Sequence, residues 1–146
     1  MSATLHITAL VEDGPAEGDL AAEHGAAYWL TAGKRRMLFD TGQGGSLAPN
    51  AEALGISLDE AEAVVLSHGH YDHTGGLARF LDARAPIYAH PDALKPKYGR
   101  NNDGSARYIG MNEAFRSALS QSDASHPLAR PTEVVPGVYA TGPVPR

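Results

Sequence analysis

Apolar residues recur at every second position from Thr4 to Val11, where Leu5, Ile7, Ala9 and Val11 alternate with less apolar neighbours. That is the period of a strand with one buried face, and Asp13-Gly14-Pro15 ends it. Ala26–Thr31 (AAYWLT) and Met37–Phe39 (MLF) read as two further strands, joined by a hairpin turn at Ala32-Gly33-Lys34, with Asp40 at the end of the second. Pro49–Leu54, closed by Gly55, predicts a helix, Leu58–Ala61 a short acidic helical turn, and Ala63–Ser67 (AVVLS) a strand. Leu77, Phe80 and Leu81 share one helical face, so Gly76–Ala83 is expected to be a helix packed on the sheet, followed by a strand at Pro86–Ala89. Strand, helix and strand from Ala63 to Ala89 form an α/β unit whose ligand-facing edge is the carboxyl end of its strands. Lys95–Gly110 is polar and turn-rich. A helix at Asn112–Leu119 and short strands at Glu133–Val135 and Val138–Ala140 complete the pattern.

A chain of 146 residues, 42% hydrophobic and 20% charged, fits one domain over residues 1–146. It can bury about two thirds of its unfolded surface without disulfide staples. The absence of Cys removes thiol catalysis, thiolate zinc sites and iron–sulfur ligation together, so metal chemistry would fall to His and carboxylates. A formal charge of -5 opposes nonspecific attraction to nucleic acid or anionic membranes, and neither is expected as a partner. MSATLHITALVEDGP lacks the charged start and apolar core of a secretory signal. These features predict a soluble, cytoplasmic protein acting on a small molecule.

The informative segment is SHGHYDHTGGL, which places His68, His70, Asp72 and His73 within six consecutive positions directly after a strand. Residues two apart in extended backbone point the same way, so His68 and His70 can share one cation, while a turn at Asp72-His73 directs those side chains to a second. Gly69 loosens the backbone between the first two ligands, and Gly75-Gly76 permit a tight turn into the helix expected from Gly76. Imidazole and carboxylate ligands suit zinc, with iron and manganese as the other choices. A metal pair acidifies bound water, which makes hydrolysis the natural reaction class; Asp72 can both ligate and orient the attacking water.

The segment resembles the signature loop of the metallo-β-lactamase superfamily, His-any-His-any-Asp-His after a buried strand. The resemblance is strongest to the dihydropterin ribofuranosyl aminobenzene phosphate synthase-like hydrolases, through EHGAAYWL from Glu23, LFDTG from Leu38, LSHGHYDHTGGL, YAHPD from Tyr88 and PGVYATGPVPR. It implies an α/β fold, half of an αββα sandwich with a mixed sheet and helices on one face. It also implies that His68 and His70 hold the first metal, that Asp72 and His73 hold the second, and that Asp40 is an outer carboxylate orienting the ligand loop. Complete members carry a second αβ half that contributes further ligands, with no counterpart after Tyr139, so the chain reads as an amino-terminal half. The function expected is a metal-dependent hydrolase acting on a phosphoester or related substrate. The alternative is a catalytically incomplete metal-binding half. A half sandwich exposes the apolar face of its sheet, so a homodimer or a complementary half chain is expected to cover it.

Other candidates have two readings each. His24 is either a contact to metal or substrate or a surface-turn residue, and Asp40 either orients the loop or shapes the Asp40-Thr41-Gly42 turn. His90 is read as a cap or loop residue, and His6 and His126 as exposed or structural. Lys95, Lys97, Arg100 and Arg107 are either a solvated loop or a lid that meets a phosphate.

Overall fold

The computed structural model describes residues 4–145. Met1–Ala3, the start of the segment read for a signal sequence, and the chain-end Arg146 lie outside the described residues. In chain order the strands are β1 (Leu5–Val11), β2 (Ala27–Ala32), β3 (Arg35–Phe39), β4 (Ala63–Val65), β5 (Ile87–Ala89), β6 (Tyr98–Arg100), β7 (Ala106–Tyr108), β8 (Ser125–Pro127), β9 (Thr132–Val135) and β10 (Val138–Ala140). The helices are α1 (Leu47–Ala53), α2 (Tyr71–Thr74) and α3 (Glu113–Gln121), with 3₁₀ turns at Leu58–Glu60, Gly75–Arg79 and Pro91–Leu94.

One mixed sheet runs β1-β2-β3-β4-β5-β8. Its first three strands are antiparallel and β3, β4, β5 and β8 run parallel, so the carboxyl ends of β3 and β4 open on one edge. The hairpin turn falls where expected: Gly33, at φ 61, supplies the left-handed conformation that a tight turn between twisted strands requires. On one sheet face Trp29, Leu38, Val64 and Ile87 pack with Leu47 and Ala51 of α1, with Leu77 and Phe80, and with Leu119 of α3. Burial of each such large side chain contributes about 1.5–3 kcal/mol. On the opposite face Met37, Ala63 and Val65 pack with Val134 and Val135 of the β9–β10 hairpin. Helices therefore cover one face, and the other is covered only in part.

Four expectations are corrected. The alternation in β1 does not mark a buried face, since Leu5 is 54% and Ile7 61% exposed and Ala9 is also exposed. Those side chains share the partly covered face with Leu30, the partner of Ile7, and the register shifts between Ala9 and Val11, so that Leu10 and Val11 are both buried. The predicted helix at 76–83 is instead the 3₁₀ turn Gly75–Arg79. Its apolar stripe packs as expected, but a Cβ at Gly75 would lie 2.2 Å from the Gln43 carbonyl oxygen, so this stretch is shaped by a close backbone approach. The polar stretch 95–110 contains the β6–β7 hairpin, turned at Asn101–Gly104, and β8 extends the sheet with a Ser-His-Pro strand that has no strand-like composition. The helix at α1 begins two residues earlier than Pro49. Among the described residues, no helix is long and apolar enough to cross a membrane.

Candidate metal centre

Strands β3 and β4 deliver the two halves of the centre side by side. Asp40 follows β3 directly, with φ 60, and its N–H donates to the Val65 carbonyl of β4 at 2.9 Å. Its carboxylate is buried and accepts three hydrogen bonds: Ser67 N–H on Oδ1 at 2.8 Å, and the Ser67 hydroxyl and His73 Nδ1 on Oδ2 at 2.6 and 2.8 Å. One carboxylate thus ties the end of β4 to α2. Thr41 reinforces the link, its N–H and hydroxyl both donating to the His73 carbonyl.

These bonds fix protons on the imidazoles. The Ser67 hydroxyl spends its only hydrogen on Asp40, so at 2.8 Å it must accept from His68 Nδ1, which leaves His68 Nε2 with a lone pair. His73 Nδ1 donates to Asp40, which likewise leaves its Nε2 free. His68 Nε2 lies 3.0 Å from His70 Nδ1. Two nitrogens each about 2.0–2.1 Å from one tetrahedral zinc lie roughly 3.3 Å apart, so this pair fits a shared cation after a small adjustment. His73 Nε2 lies 3.7 Å from Asp72 Oδ2. Asp40, His68 and His73 bring one ligand atom each within 4.8 Å of one another. With both Asp40 oxygens engaged by Ser67 and His73, its carboxylate is better suited to orienting the rings than to coordination.

The six-residue motif is thus gathered at the carboxyl ends of β3 and β4, though not as one set: His70 joins through His68, and Asp72 through His73. Burial, with the neighbouring His73 and His70 rings, holds the His68 imidazole below its ordinary pKa, which favours the neutral form a cation needs. Gly69 has a reason other than the one expected: a Cβ there would lie 1.9 Å from the Ala93 carbonyl oxygen, so only glycine lets the loop pass between the two histidines.

His24 lies at the edge of the centre. Its Nδ1 is 2.8 Å from Asp13 Oδ2 and its Nε2 3.1 Å from Asp72 Oδ2. The bond to Asp13 raises the His24 pKa, and the Gly25 N–H, then His24, lower that of Asp13. Ser67, Asp13 and Glu23 were missed in the sequence. Glu23 accepts from the N–H groups of Gln43, Gly45 and Ser46, which fixes the loop after Asp40. Their sequence signal is slight: Asp13 precedes a turn glycine, and Glu23 and Ser67 each precede a His-Gly pair.

The remaining candidates stand apart. His90 caps the Pro91–Leu94 turn by accepting the Asp92 N–H, His126 stacks on Tyr88, and His6 is exposed. Lys97 Nζ donates to the carbonyls of Asp92, Ala93 and Lys95, which engages its ammonium, and the exposed Lys95 pairs with Asp92. Beside the ligand loop opens a cavity of about 620 Å³, lined by Tyr71, Tyr98, Tyr108 and Arg116 among others. A bridge between His70 and Gly110 and the bond from Tyr71 N–H to the Ile109 carbonyl join it to the loop.

Comparison with known proteins decides the family. The profile of the Metallo-beta-lactamase superfamily matches residues 21–143. The chain belongs to that superfamily. The chain is 29% identical over 140 residues to an uncharacterized protein of Methanocaldococcus jannaschii, covering 94% of this chain and 53% of that one. It is 26% identical over 132 residues to the 7,8-dihydropterin-6-methyl-4-(beta-D-ribofuranosyl)-aminobenzene-5'-phosphate synthase of the same organism, covering 84% of this chain and 45% of the synthase. The chain therefore spans about half the length of these relatives. Among solved structures, Rm3 metallo-beta-lactamase superposes with TM-score 0.52 at 23% identity, covering 84% of this chain and 46% of that one. That likeness establishes the metallo-β-lactamase fold, of which this chain matches about half.

Proposed function

We propose that this chain carries the amino-terminal ligand set of a metal-dependent hydrolase, with zinc as its cation and a phosphoester or related small molecule as its substrate. His68 Nε2 and His70 Nδ1 would hold one ion, and Asp72 and His73 Nε2 the other. A bound divalent cation lowers the pKa of water toward about 7 and polarises a phosphoryl or carbonyl oxygen. The chain's own part is positional. Asp40 keeps protons on the far side of the His73 ring, Ser67 does the same for His68, and the Asp72 carboxylate accepts a hydrogen bond from the attacking water and orients it. The Tyr-lined cavity beside Tyr71 would seat the rest of the substrate. The observation that carries this reading is the pair of imidazoles held with Nδ1 protonated and Nε2 free beside a second ligand atom.

A second reading is favoured by the exposed apolar side chains on the partly covered sheet face, Leu5 at 54% and Ile7 at 61%. It makes this chain a half-site that needs a second copy or a complementary chain for turnover. Metal analysis of the purified chain, then hydrolysis of bis(4-nitrophenyl) phosphate with and without chelator, tests both. Chelator-sensitive turnover supports the first reading; bound metal without turnover supports the second. No bound metal after zinc loading removes both.

A further inference from the structure

We propose that His24, backed by Asp13, supplies a third side-chain ligand to the second cation, beside Asp72 and His73; this rests on the metal-centre reading above. Two imidazoles flank the same oxygen: His24 Nε2 lies 3.1 Å and His73 Nε2 3.7 Å from Asp72 Oδ2. Each has its Nδ1 against a carboxylate at 2.8 Å, Asp13 for His24 and Asp40 for His73. With Asp13 against Nδ1 and Asp72 against Nε2, a proton kept on Nδ1 by Asp13 would leave Nε2 to share a cation with Asp72 in place of their direct contact. The Nδ1–carboxylate contact that orients His73 is repeated at His24.

The backbone around His24 is held for this placement. Gly25 N–H donates to Asp13 Oδ1 at 2.7 Å, Ala26 N–H to the Asp72 carbonyl at 3.3 Å, and Gln43 Nε2 to the His24 carbonyl at 2.7 Å. Gly25, at φ 129, lies so close that a Cβ would sit 2.1 Å from the Asp72 carbonyl oxygen. The segment that carries His24 is thus packed on the backbone of the residue whose side chain it meets. Packing does not explain the ring, because the His24 side chain is 61% exposed. A cation bound there would neutralise the buried Asp72 carboxylate, which both imidazoles already approach.

The test is cobalt and zinc binding to the full chain, read by metal analysis after equilibrium dialysis and by visible absorption of the cobalt form. We expect wild type to take up two equivalents. His24→Ala should keep the first and bind the second at least about tenfold more weakly, with a changed cobalt spectrum, and Asp13→Asn should weaken the second by roughly tenfold through loss of ring orientation. His24 is exposed, so its removal should leave the circular dichroism unchanged, and Asp13→Asn provides a second probe with the ring in place. Two equivalents with unchanged affinity and spectrum in both variants would overturn the proposal, leaving His24 a surface ion-pair partner. Uptake of one equivalent by wild type, lost in His68→Ala but not in His24→Ala, would also overturn it while leaving a metal centre. No uptake by wild type would overturn this proposal and the metal reading together.

Discussion

Replacing Asp40 with Asn removes a charge and almost nothing else, since Asn has the same shape and tolerates the positive φ of this position. The carboxylate now accepts from Ser67 N–H, the Ser67 hydroxyl and His73 Nδ1. If the amide oxygen keeps the Ser67 N–H, the amide nitrogen faces two groups that used to donate. The hydroxyl can turn round. The imidazole can accept only by moving its proton to Nε2, the atom offered to the cation. Hydrogen bonds to a charged group are worth about 1.5–3 kcal/mol, and weakening this set should cost roughly that much. For a urea m-value of roughly 1.5 kcal/mol/M the midpoint falls by about 1–2 M. Zinc affinity should fall by about 10–100-fold. Urea denaturation followed by circular dichroism and zinc titration calorimetry measure the two effects. A midpoint within about 0.2 M of wild type, with zinc affinity within about twofold, would refute the reasoning.

Other parts of the structure carry three more expected outcomes. Gly69→Ala must displace the Ala93 carbonyl or the histidine loop, so it should destabilise the apoprotein by about 1–3 kcal/mol and weaken zinc binding; an unchanged urea midpoint would contradict this close approach. Asn50 is buried and bonds Leu10 O, Ala21 O and Ala21 N–H, so Asn50→Ala should cost roughly 2–4 kcal/mol by leaving these groups unpaired, with a loss below about 0.5 kcal/mol arguing against it. Glu62 is held below its ordinary pKa by its bond to Arg35, and by the Arg36 N–H, so its contribution is present above its unfolded value of 4.5 and lost as pH falls through the folded value. The pair is partly exposed, so Glu62→Gln should cost less than about 1 kcal/mol near neutral pH, and the two proteins should converge in acid; a difference that grows as pH falls would reverse the sign.

The ligand loop was legible because its four candidate residues lie within six positions, and Asp40 because it ends a strand whose neighbour ends at that loop. Asp13 was not, since it reaches His24 across eleven residues and is brought to the centre only by the path of the chain between β1 and β2. Ser67 stood at the head of the histidine motif, but its role is a proton arrangement, visible only once Asp40 and His68 are seen on either side of its hydroxyl. The strands of the sheet centre were legible from their apolar runs. The face of β1 was not: its alternation is real, but Leu5 and Ile7 lie on the partly covered side, and the irregularity near Ala9 reverses the rule where the strand enters the core. The Gly75–Arg79 turn carries an apolar stripe at helical spacing while its backbone obeys a contact with Gln43, which periodicity cannot register. At β8 nothing in Ser-His-Pro favours a strand, and pairing with β5 places it.

The most direct test of the metal centre is anomalous scattering at the zinc edge from crystals of the zinc-loaded chain. One peak bonded to His68 Nε2 and His70 Nδ1 at about 2.0–2.1 Å is expected, and a second bonded to Asp72 and His73 Nε2. Crystals with ample zinc that show no peak in this loop, and the four side chains turned to solvent, would contradict it.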